Sequence, residues 1–136
     1  MAAKPPTVVD LAWNDRLEFT ATLPNTTLTV DSGGAAGPSP VQLLATGLAG
    51  CMAIDLAYIL TRGHHHFRSL TSRLTAQRSD SEPHRITAVA LHFVIEGPAP
   101  ADAVRRAITL SREKYCSVWH SMRQDIDLQV TFDVTP

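Results

Sequence analysis

From Pro40 to Arg62 the chain runs 23 residues without an internal proline and is apolar on nearly every side, through Val41, Leu43, Leu44, Leu48, Met52, Ile54, Leu56, Ile59 and Leu60. Read as a helix, this stretch is about 33 Å long at 1.5 Å per residue, enough to cross a bilayer. The membrane reading is weak. Gln42, Thr46, Asp55 and Tyr58 interrupt the stretch, no second such segment exists, and strand-like sequence flanks it on both sides. A helix apolar all round in a soluble protein must be buried, so the expected architecture has this segment at its centre. Ser39 is placed to cap it, Pro40 suits the first helical position, and Gly63 is expected to end it. Gly47 and Gly50 each cost about 1 kcal/mol relative to alanine inside a helix. With Ala45 and Ala49 they bare the backbone just before Cys51, as tight packing against a helix or a ligand requires, which makes them candidate binding positions.

The flanks read as strands. Thr7 to Trp13, Arg16 to Leu23 and Thr26 to Asp31 form three short β-prone runs, and residues 32–37 a small, flexible connector. After an exposed turn at His64, His65 and His66, residues 70–78 alternate as a half-exposed strand. Ile86 to Glu96 is the strongest strand signal, apolar on both faces and so expected to be central and covered on both sides. Asp102 is a credible cap for a helix whose stripe is Val104, Ala107, Ile108, Ser111 and Tyr115, ending near Lys114. Ser117 is expected to cap a short helix, and residues 126–134 to form the last strand. The order predicts an α+β fold, mainly antiparallel sheets packed on a long buried central helix.

With 136 residues, 44% hydrophobic and 18% charged, the chain is expected to form one domain over 1–136. A net charge of −1 and no dense Lys/Arg run argue against nucleic acid as a partner. Residues 1–10 contain no apolar run of signal-peptide length, so a cytoplasmic protein is expected. A permanent disulfide is uncommon there, and cysteines more often mean redox or metal chemistry. Cys51 and Cys116 stand 65 residues apart, too few and too far apart for a local zinc motif, and no metal or cofactor is expected.

Cys51, mid-helix and among apolar residues, reads first as a small buried hydrophobe and second as a reactive thiol. Cys116 precedes a helix start, where backbone N–H groups favour a thiolate, and Arg112 and Lys114 add positive charge nearby. Asp55, one turn after Cys51, reads as a pocket carboxylate or as a helix-packing group satisfied by a hydrogen bond. His92 and His120 read first as structural, although His120, four residues after Cys116, is placed to influence its ionisation. Three consecutive histidines in a turn do not present a preorganised tetrahedral set.

The residues around both thiols carry a resemblance. Gly37-Pro38-Ser39-Pro40-Val41-Gln42-Leu43-Leu44, a small-residue run, Gly50-Cys51 and Asp55 resemble the central-helix motif of the OsmC/Ohr family of organic hydroperoxide and osmotic-stress proteins. Residues 110–118, Leu-Ser-Arg-Glu-Lys-Tyr-Cys-Ser-Val, resemble its second cysteine motif, and Ile86 to Gly97 is similar to its long strand. The match covers roughly residues 28–134 and is nearer the OsmC-like branch than the better characterised enzymes.

The resemblance implies an intertwined homodimer with two active sites at the subunit interface, which gives the apolar helix a partner. It implies a thiol-dependent peroxidase for organic hydroperoxides, with Cys51 peroxidatic, Cys116 resolving and an external dithiol as reductant. In peroxidase members an arginine held by a glutamate on the first turn of the long helix stabilises the thiolate. This chain departs from that pattern: Gln42 stands nine residues before Cys51, where relatives commonly carry Glu. A neutral amide cannot form a charged bidentate pair. Arg16, the only arginine before the long helix, is the candidate partner by elimination, although its local sequence reads first as a solvated strand residue. The departure keeps an alternative open, a non-peroxidase member binding a small apolar or electrophilic molecule at the dimer interface.

Overall fold

A computed structural model describes residues 3–136, which group into two compact units, residues up to Leu44 and Ala45–Pro136. The first unit is a three-stranded antiparallel sheet of β1 (Asp10–Asp15), β2 (Glu18–Leu23) and β3 (Thr26–Asp31), in sequence order. Leu23 pairs with Thr26 across the Pro24-Asn25 turn, and a register irregularity between Trp13 and Asp15 precedes Arg16, whose φ is 48°. Strand β1 is exposed along its whole length, with Trp13 64% accessible, and Ala21 is the only buried hydrophobic residue of this sheet.

The connector after β3 is held rather than free. One Asp31 carboxylate oxygen accepts from Gly33 N–H (3.1 Å) and the other from Ala36 N–H (2.9 Å), while Asp31 N–H donates to the Pro38 carbonyl (3.1 Å). These backbone donors, Ala36 first, hold the Asp31 carboxyl below its ordinary range. Gly37 is dictated by the same fold: a Cβ there would stand 2.1 Å from the Thr29 carbonyl oxygen.

Helix α1 spans Pro40–Arg62, as the sequence predicts, and its entry is a capping box. Gln42 N–H donates to Ser39 Oγ (3.2 Å), and Ser39 N–H donates to Gln42 Oε1 (2.9 Å). Its exit differs from the expectation. His64, not Gly63, adopts the left-handed conformation (φ 58°), with His65 N–H bonded to the Leu60 carbonyl and His64 N–H to the Thr61 carbonyl, the double closure of a Schellman motif.

In the second unit β4 (Ser69–Arg78), β5 (Ile86–Glu96) and β6 (Asp127–Thr135) form a sheet in that order. β4 and β5 are antiparallel; β5 and β6 are parallel, so the chain must cross over between them through α2 (Ala101–Leu110), a π-helical turn (Ser111–Tyr115) and α3 (Ser117–His120). β5 is central, as expected, but only one of its faces is fully buried: Val89, Leu91, Phe93 and Ile95 lie inside. On the other face Ala90 is exposed and His92 bonds Thr131 Oγ1 (2.6 Å) and Asp133 (3.1 Å) of β6.

Two expectations about α2 are corrected. Pro100 precedes the helix as its cap, and Asp102 lies inside the first turn, paired with Arg105 at 2.7 Å. The α-helical stripe stops at Ser111: the π turn closes with Cys116 N–H on the Ser111 carbonyl (2.8 Å), five residues back. That extra residue per turn exposes Tyr115 and brings Cys116 to the buried side.

The long helix is buried on one stripe, not all round. Leu48, Met52, Leu56 and Leu60, at four-residue spacing, are at most 1% exposed, while Ile54 is 70% and Tyr58 63% exposed. By length and composition α1 is the one helix among the described residues able to cross a membrane; the buried stripe is how a core helix meets the same criterion. Replacing Gly37 with alanine is expected to lower stability by about 1–3 kcal/mol, the cost of forcing atoms into a filled space, read from the denaturation midpoint at unchanged slope.

Candidate functional site

Cys51 and Asp55 stand four residues apart on α1 and so project from one face. Cys116 reaches the same place from the end of the π turn, 65 residues later. Cys51 Sγ, Cys116 Sγ and an Asp55 carboxylate oxygen all lie within 4.8 Å of one another. Both cysteines are free thiols, Cys51 half-buried and Cys116 fully buried.

Ser111 is the member that sequence reading missed. It is the one fully buried polar residue among those described, and its hydroxyl donates to Asp55 Oδ2 at 2.7 Å. The π turn thus delivers both of its ends to α1: Ser111 holds the carboxylate, and Cys116 brings the sulfur. The available signal was a serine on an otherwise apolar stripe, since a buried hydroxyl needs a partner.

The ionisation of Cys116 runs against the sequence expectation. Sγ, not Ser117, caps α3, accepting from Trp119 N–H at 3.3 Å, yet the thiol is pushed from an ordinary 9.0 up to about 11. Burial is the largest cause; the Trp119 N–H opposes it, and Cys51 and the Asp55 charge push further upward. A helix of four residues is too short to offset complete desolvation of a thiolate. The expected helpers face elsewhere: Lys114 Nζ stands over the Tyr115 ring (5.2 Å), and the His120 ring bonds the Arg112 carbonyl (3.0 Å).

The remaining candidates divide between the two units. In the second, a Cβ at Gly47 would meet Val118 methyls at 4.0 Å, ordinary van der Waals contact, and at Gly50 would meet nothing within 4 Å. The space beside Gly50 is open. In the first, the Gln42 side-chain oxygen accepts the capping hydrogen bond from Ser39. Arg16 sits in the β1–β2 turn, its side chain 88% exposed and 3.7 Å from Asp15. It borders a cleft of about 490 Å³ with Glu18, Asp31 and Ala36. Among the described residues no metal-competent cluster includes His64, His65 or His66.

A thiol held at about 11 in place of an ordinary 9.0 carries about a hundredfold less thiolate at neutral pH. In the folded protein at pH 8, iodoacetamide is expected to modify Cys51 while Cys116 reacts at least about a hundredfold more slowly than in the unfolded chain, by mass spectrometry of quenched digests. Because its folded-state value is raised, the contribution of Cys116 to stability is intact below pH 9 and lost between 9.0 and about 11. Equal alkylation of both thiols would contradict this site.

Known proteins resemble this chain in sequence and in fold. Residues 32–131, which include both cysteines, Asp55 and Ser111, match the family model described as OsmC-like protein. Protein YhfA of Escherichia coli K12 is 34% identical over 104 residues, 76% of this chain and 78% of that protein. The structure of a hypothetical protein from Aquifex aeolicus VF5 superposes with a TM-score of 0.90 at 22% identity, covering 97% of this chain and 98% of the other. An organic hydroperoxide resistance protein OsmC from Legionella pneumophila shares the fold at TM-score 0.73 and 16% identity, over 98% of this chain and 100% of that one. The extent of the family match and the identity to YhfA lead to one conclusion: the chain belongs to the OsmC-like protein family.

Proposed function

We propose that the protein is a two-thiol hydroperoxide reductase, cytoplasmic and homodimeric, that converts organic hydroperoxides to alcohols. The observation that carries this reading is the Cys51–Cys116 pair, two free thiols of unequal burial with sulfurs within 4.8 Å. Cys51, the accessible thiol, loses its proton and attacks the terminal peroxide oxygen; the O–O bond breaks, Cys51 becomes a sulfenic acid, and the alkoxide takes a proton to leave as alcohol. Cys116, held protonated by burial, does not compete for peroxide. Its sulfur then displaces hydroxide from the sulfenic acid, the thiol proton and hydroxide leave as water, and a disulfide forms. The sulfurs must close to about 2.05 Å for that bond. An external dithiol reduces the disulfide and restores both thiols.

Three features support the assignment of roles. Asp55, fixed by Ser111, lies beside both sulfurs and is placed to relay a proton. The face of α1 with Gly50, Ile54 and Tyr58 is apolar and uncovered in the single chain, which suits a second copy and places the half-buried Cys51 beside it. The structural relatives include proteins named for organic hydroperoxide resistance. A second reading, binding of a small apolar or electrophilic molecule at the dimer interface without turnover, is favoured by one observation: none of the groups acting most strongly on Cys116 is cationic. Arg16 and Gln42 remain the candidates for the thiolate-stabilising pair of peroxidase members.

Reduced protein mixed with cumene hydroperoxide and excess dithiothreitol is expected to consume peroxide catalytically. Cys51→Ser should reduce the rate to that of dithiothreitol alone, and Cys116→Ser should leave a sulfenic acid that dimedone traps. Consumption unchanged in Cys51→Ser would sink this reading, and selective adduct formation at Cys51 without turnover would favour the second. Sedimentation should show a dimer that Ile54→Asp converts to monomer; a monomeric parent protein counts against the interface.

A further inference from the structure

The site gathers donor atoms of the kinds that ligate metal ions. Two free thiols and a carboxylate converge, with Cys51 Sγ, Cys116 Sγ and an Asp55 carboxylate oxygen all within 4.8 Å of one another. Such a donor set, two soft sulfurs and one oxygen, matches a thiophilic divalent cation of the zinc type, whose bonds of about 2.3 Å to sulfur and about 2.0–2.2 Å to carboxylate oxygen need only a modest contraction of this triangle. Counting cysteines and histidines alone excludes a zinc site; Asp55 supplies the third donor that such a count omits.

The surroundings are those of a ligand shell. Asp55 Oδ2 is engaged by the Ser111 hydroxyl, which orients the carboxylate as outer-shell donors orient metal ligands. Cys116 Sγ is fixed by the Trp119 N–H. Cys51 and Asp55 are held at one helical turn's spacing by α1. Three protein donors, one side of the cluster half-exposed at Cys51, leave a fourth position for water.

We propose that the reduced site binds one Zn²⁺-class cation per chain through Cys51 Sγ, Cys116 Sγ and an Asp55 carboxylate oxygen. The site uses the thiols of the peroxidase reading without requiring turnover. A bound cation occupies the Cys51 lone pair that would attack peroxide, so loading shields the thiols. If an organic hydroperoxide oxidises the loaded pair, the two thiolates give up two electrons to form the disulfide. The peroxide takes those electrons and two protons to become alcohol and water, and the cation is released.

The test is metal titration of reduced, metal-free protein in the absence of peroxide. Co²⁺ is expected to produce thiolate-to-metal charge-transfer absorption that saturates at one equivalent per chain. Competition with a chromophoric zinc chelator should show Zn²⁺ affinity falling about tenfold in Ser111→Ala and by more in Asp55→Asn, Cys51→Ser and Cys116→Ser, each checked for folding by circular dichroism. Co²⁺ absorption without charge transfer, as histidines at 64–66 would give, or Zn²⁺ affinity equal in parent and Cys51→Ser, overturns the proposal. Because no peroxide is present, failure here leaves the reductase reading standing, and absence of turnover leaves the metal titration unchanged.

Discussion

The hydrogen bond from Cys116 N–H to the Ser111 carbonyl, five residues back, decides what the site contains. A helix continued in α geometry from Ser111 would carry Tyr115 inward; the π turn turns Tyr115 out and brings Cys116 in. Such turns are rare within α-helices and recur at functional sites. Here the turn's two ends are the two residues that engage α1's polar face, Ser111 at Asp55 and Cys116 near Cys51.

The electrostatics follow from where that turn puts the sulfur. Complete burial makes thiolate formation at Cys116 unfavourable, and one backbone donor from Trp119 does not reverse it. Cys51 is half-buried and therefore reachable. The pair is chemically asymmetric without any difference in residue type: the same side chain is accessible on α1 and buried and held protonated at the π turn. The single negative group beside them, Asp55, sharpens that asymmetry and invites a cation.

The long helix shows how one sequence property supports two burial events. Leu48, Met52, Leu56 and Leu60 are consumed by the chain's own core. Ile54 and Tyr58, equally apolar, are not. An exposed apolar helix face of this kind is consistent with the interaction surface proposed above. The exposed β1, with Leu11 and Trp13 at the surface, repeats the pattern in the first unit.

Local sequence determined a great deal. Pro40–Arg62, Thr26–Asp31 and Ile86–Glu96 form their expected elements because a capped, proline-free apolar run and β-branched alternation are strong local signals. The two cysteine motifs carried the family, and with it the expectation that Cys51 and Cys116 meet. Tertiary structure decided the rest. The parallel pairing of β5 with β6, the left-handed closure at His64 and the assignment of Gln42 to a capping box are choices among conformations that neighbouring residues leave open. Above all, helix-end reasoning from neighbours predicts a favoured thiolate at Cys116, whereas the fold buries that sulfur completely. Desolvation depends on what surrounds an atom in space, and no local pattern of residues encodes it.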